Sequence, residues 1–144
     1  MKTLLSILCL LSVGTAFGQT NDEPRQMAKP GDQVWVWSYP VKADKRSQYE
    51  HFVHDVFYKG ASKLSGNNLR ALRQTRVMHP TKANPDGSYT YLFIMDPVVK
   101  GEKYDIETLV KKMYGPEEGA KHYKLFEDAL AGKDVGYMTI QSKD

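Results

Sequence analysis

Cysteine is all but missing from this chain. The single one among 144 residues, Cys9, lies in an N-terminal stretch that reads as removable, so the remainder has no disulfide scaffold, thiol nucleophile or thiolate metal site. No serine sits in a nucleophile-elbow sequence, and no glycine-rich phosphate loop occurs. Charge of one sign is missing too: 20 basic side chains face 17 acidic ones, and removing Lys2 with the leader leaves 19 against 17. With neither a basic run nor an RNA-binding signature, nucleic acid is not an expected partner. Arg70, Arg73 and Arg76 are the nearest thing to a patch, and in an expected strand over 69–79 they divide between two faces. No apolar run reaches the roughly 20 residues that would span a bilayer.

What is present begins with a leader. Lys2, an apolar core over residues 4–13 and the small-x-small site Ala16-Phe17-Gly18 predict a signal peptide over 1–18, cleaved before Gln19. Leu8 precedes Cys9 where a lipoprotein signal needs a small residue, which argues against lipid anchoring. An exported chain without mature cysteines fits a bacterial periplasmic or secreted protein. Residues 19–32, polar and proline-bearing, are expected as a flexible lead-in, and residues 33–144 as one domain.

Within that domain, Tyr89-Thr90-Tyr91-Leu92-Phe93-Ile94-Met95 is apolar on both alternating faces and predicts an inner strand. Val34-Trp35-Val36-Trp37-Ser38-Tyr39 predicts the first strand, ended or placed at an edge by Pro40. Phe52, Val53, Val56, Phe57, Gly60, Ala61 and Leu64 form a helical stripe within 44–64, stopped by Ser65-Gly66-Asn67-Asn68. Residues 69–79 are expected as a second strand, followed by a hairpin loop over 80–88. Ile106, Leu109, Val110 and Met113 open a second helix that breaks at Gly115-Pro116 and resumes to Leu130; residues 135–142 are the last strand.

Strand, helix, strand, strand, helix, strand is the split pattern of a ferredoxin-like α+β sandwich, an antiparallel sheet with two helices on one face. The other face is bare, carrying either Trp35, Trp37 and Tyr39 or their neighbours beside one set from the Tyr89 strand, and a bare apolar face predicts association.

In topology and pattern over residues 34–142 the chain resembles the dimeric α+β barrel superfamily, which includes antibiotic-biosynthesis-type and haem-degrading monooxygenases. The resemblance implies a homodimer with two sheets face to face. Haem-degrading members carry an asparagine on the first strand, a tryptophan on the third and a histidine on the second helix; here only His122 has a counterpart.

Candidate site residues are few. His51 and His54 stand at i and i+3, with Tyr58 one turn beyond His54; they could share a metal, or be solvated helix-face residues, and no carboxylate or cysteine at defined spacing completes a metal set. Trp35 and Trp37 could stack on an aromatic ligand or simply pack. His122 could ligate haem or be a polar neighbour of Tyr123. Two functions follow: an exported protein that binds a small hydrophobic molecule or a partner without turnover and with no cofactor, or a cofactor-light or haem-handling monooxygenase acting on an aromatic or haem-like substrate.

Overall fold

The computed structural model describes residues 25–144, and the expected signal peptide and its cleavage site lie outside the described residues. Four strands form one antiparallel sheet: β1 (Gln33–Val41), β2 (Thr75–Met78), β3 (Tyr89–Met95) and β4 (Val135–Ile140), in the order β2-β3-β1-β4. Between β1 and β2 run α1 (Arg46–His51), a π-helical continuation (Phe52–Tyr58) and α2 (Gly66–Gln74); between β3 and β4 run α3 (Ile106–Tyr114) and α4 (Pro116–Glu127). With β1 and β3 in the centre and each helical crossover skipping over one strand, this is the ferredoxin-like α+β fold.

Pairing settles which face is covered. Register couples Trp35 to Met95, Trp37 to Phe93, Tyr39 to Tyr91 and Val41 to Tyr89, and all of these side chains belong to or pack on the helix-side core. The bare face therefore carries the neighbours of the tryptophans: Val34, Val36, Leu92 and Ile94, extended by Met78 on β2 and Val135 and Tyr137 on β4. On the two central strands it is aliphatic rather than aromatic, because their large rings fill the gap between sheet and helices, where they bury the most area.

The core is a chain of rings. Tyr39 meets Phe93 at 5.3 Å and Phe126 at 5.2 Å; Phe126 in turn meets Phe52 and Tyr49, and Tyr49 lies 4.7 Å from Tyr91. The π-helical segment supplies Phe52, Val53, Val56 and Phe57 to it, all buried.

Two expectations need correction. Residues 69–74 are not strand: Leu69-Arg70-Ala71-Leu72-Arg73-Gln74 are good helix formers, they complete α2, and β2 shrinks to four residues. Arg70 and Arg73 are thus helical, whereas Arg76 lies on β2 with its guanidinium 2.5 Å from Asp96. The expected flexible lead-in is anchored from Arg25 onward. Arg25 donates to the Arg73 carbonyl, the Ala28 amide to Asp96, and Gly31 and Gln141 close a backbone pair with each other's neighbourhood. Composition warned against a core for this segment, yet its backbone groups find partners along the sheet end.

The expected break at Gly115-Pro116 is a sharp turn. Gly115 holds φ +85°, Pro116 starts α4, and the two helices double back so closely that a Cβ on Gly119 would lie 2.6 Å from the Lys111 Cα.

Candidate functional site

The sheet is not covered evenly. Where Phe57, Leu72 and Leu109 come down on the sheet, the space they bound with Tyr39, Thr75, Phe93 and Met95 closes to about 10 Å³. Towards β4 it opens into a cleft of about 420 Å³ walled by Trp35, Trp37, Tyr39, Tyr104, Tyr123 and Phe126, with Ile106, Leu130, Asp105 and Asp134 completing it. Tyr39, Tyr104 and Ile106 belong to both. The opening has a local cause: no helix lies over β4, and all six of its residues are exposed.

Each wall residue is fixed by its element. Trp35 and Trp37 alternate with Val34 and Val36 on β1, so both indoles enter the cleft. The Trp37 ring lies against Gly136 so closely that a Cβ there would come within 2.7 Å of it. Trp35 takes Tyr104 edge-on at 5.7 Å, and Tyr104 is pinned by the Val99 amide donating to its hydroxyl at 2.8 Å. Tyr123 stacks on Phe126 at 5.8 Å from one face of α4. Asp105 is the N-cap of α3, accepting from the Thr108 amide at 2.7 Å. Asp134 lies in the loop before β4, and among the described residues neither aspartate is in an ion pair.

The cleft phenols stay protonated at neutral pH. Burial pushes the Tyr39 hydroxyl far above its ordinary value, with Asp134, Tyr123 and Asp105 adding to the rise. Tyr123 is raised by burial and then by Glu127, Glu107, Asp105 and Asp134; Tyr104 is raised chiefly by burial. No wall side chain is therefore set up as a base at neutral pH, apart from the two carboxylates.

Of the residues singled out from sequence, the structure brings Trp35 and Trp37 together and places the others elsewhere. His54 faces His79, with their Nε2 atoms 3.0 Å apart on the side of the molecule away from β4. His79 lies 3.6 Å from Glu50, which also accepts from the Tyr91 hydroxyl, and Arg46 donates to that hydroxyl at 3.2 Å. This network ties α1 to β3. His51 turns instead to Asp55 at 3.1 Å, so His51 and His54 do not converge. Tyr58 donates to the Thr75 carbonyl at 3.0 Å, and burial raises its pKa to about 12. His122 lies on the α3–α4 pair, its ring 4.5 Å from Tyr114 and its Nε2 3.7 Å from Glu118, and it does not line the cleft.

A haem does not fit these residues. The cleft offers no imidazole to the iron, and Asp105 and Asp134 would face the propionates with like charge. Among the described residues no group of three or more His, Cys, Asp or Glu side chains is close enough to hold a metal ion, and no helix is long and apolar enough to cross a membrane. Sequence reasoning missed Tyr104, Asp105, Tyr123 and Asp134. Tyr123 and Tyr104 were legible as aromatics flanking a helical stripe, but nothing local tied them to Trp35.

No protein-family model matches the chain, and no curated protein does. A crystal structure from Caulobacter crescentus CB15, provisionally described as an antibiotic biosynthesis monooxygenase, is similar at 16% identity, covering 78% of this chain and 91% of that one with a TM-score of 0.39. The fold stands on the strand order and pairing given above.

Proposed function

We propose that this is an exported protein of the dimeric α+β barrel type that binds a small, largely apolar molecule in the Trp35–Trp37 cleft without turning it over. The observation that carries the reading is the cleft itself: about 420 Å³ lies within the size range of small-molecule sites, and its walls are mostly aromatic side chains, with phenol hydroxyls, indole N–H groups and two carboxylates supplying the polar part. The raised phenol pKa values take the cleft tyrosines out of play as bases at neutral pH. Export is supported by the leader pattern of residues 1–18. Dimerisation is supported by the bare face, where Val34, Val36, Leu92 and Ile94 stand beside Met78, 47% exposed, and Tyr137, 56% exposed, with Ser38 and Arg76 among them. A second copy laid sheet to sheet would take that patch out of water.

One experiment reads all three parts: native mass spectrometry of the protein recovered from its export compartment, with and without aerobic incubation. The expected species is two chains, each beginning at Gln19, with a small molecule that survives incubation unchanged and is lost in Trp37→Ala. A ligand-free protein that also fails to quench its tryptophans with any neutral aromatic probe would end the binding reading. Recovery of the ligand heavier by one oxygen atom would establish the monooxygenase in its place.

A further inference from the structure

The charge of the cleft is one-sided. Its lining holds two carboxylates, Asp105 and Asp134, and no basic side chain; Lys133 precedes Asp134 in sequence but is not part of the wall. Around the carboxylates stand two indoles and three phenols: Trp35, Trp37, Tyr39, Tyr104 and Tyr123. Aromatic faces carry negative charge on their π-clouds, so rings and carboxylates attract the same kind of guest, a weakly hydrated cation.

We infer that the cleft selects an organic cation, an aromatic or alkyl ammonium ion held against Trp35, Trp37 and Tyr123 with its charge directed towards Asp105 and Asp134. This rests on the binding reading above and names its ligand class. The field inside the cleft agrees: the tyrosines Tyr39 and Tyr123 are raised first by burial and then by acidic groups, with no cation among the causes. Only at the Tyr104 hydroxyl does a cation, Arg70, oppose the rise. An anionic aromatic would meet two like charges at the cleft mouth, where Asp105 and Asp134 are both exposed, and that repulsion is felt most at low salt. A neutral ring would gain burial alone.

The chain contains two tryptophans and both line the cleft, so intrinsic fluorescence reports on this site. Three single-ring aromatic probes of different charge separate the possibilities: benzyltrimethylammonium, benzyl alcohol and benzoate. The cation is expected to give saturable quenching at least about tenfold tighter than the alcohol, and benzoate none. Rising salt weakens the cation alone. Asp134→Asn and Asp105→Asn should each weaken the cation and leave the alcohol unchanged; asparagine caps α3 as well as aspartate does, so the second variant tests charge and not folding. If the alcohol or benzoate binds as tightly as the cation, the cation preference is overturned while the cleft remains a binding site. If none of the three quenches saturably, the cation inference and the binding reading fall together.

Discussion

The two halves of the sheet are covered by different means. On the β2–β3 side, rings and a polar network close the structure: Tyr91 is fully buried beneath α1, its hydroxyl held by Glu50 and Arg46, and the enclosed space is about 10 Å³. On the β1–β4 side the same sheet face carries equally large rings, yet a cleft of about 420 Å³ remains. The difference is the cover. The π-helical segment sets four apolar residues onto the first half, whereas the second ends in an exposed strand with Gly136 where a larger side chain would displace Trp37. Apolar rings therefore do not by themselves mean core. Where a helix packs down on them they close the core, and where the cover is partial they line an open cleft.

The largest contrast is expected in stability. Phe52→Ala removes a fully buried ring and should cost about 3–5 kcal/mol in denaturant unfolding. Trp37→Ala removes a larger but half-buried ring beside open space and should cost about half as much or less. Equal costs would mean that the cleft is core under another name.

A smaller effect is expected from Tyr91→Phe. The Tyr91 hydroxyl bond, more than the nearby His79, Arg46 and His54, holds the Glu50 carboxyl below its ordinary value. A depressed folded-state value stabilises above the unfolded pKa, near 4.5, and that contribution is lost as the pH falls through the folded value. Since the Glu50 side chain is 36% exposed, solvent screening keeps the contribution below about 1 kcal/mol. Unfolding curves between neutral and acid pH should be flatter for Tyr91→Phe than for the native chain, and parallel curves would remove the network from the account.

Much of the fold was legible in the sequence, and the reasons are specific. Strands β1 and β3 announced themselves by β-branched and aromatic runs, and Gly115-Pro116 marked the helix break because a positive φ and a missing amide are local facts. Helix α2 was hidden because Gly66-Asn67-Asn68, which read as a stop, instead forms its first turn. Alternation alone could not say which face of β1 was covered, since both are apolar; ring size decides it, the rings going under the helices. Of the site, the tryptophans were readable and their surroundings were not, because the Tyr104-Asp105 pair before α3, Tyr123 on α4 and Asp134 before β4 are joined to them only by tertiary structure.

The central claim, that the open half binds while the closed half only supports, is met most directly by nitrogen-15 NMR of the side chains. The two indole N–H signals of Trp35 and Trp37 can be followed beside the ring nitrogens of His54 and His79 during titration with a cationic and with a neutral aromatic probe. Both indole signals should move saturably while the two histidines, towards the opposite edge of the sheet from β4, stay in place. Movement of the His54 and His79 signals with the indoles unmoved would contradict the account.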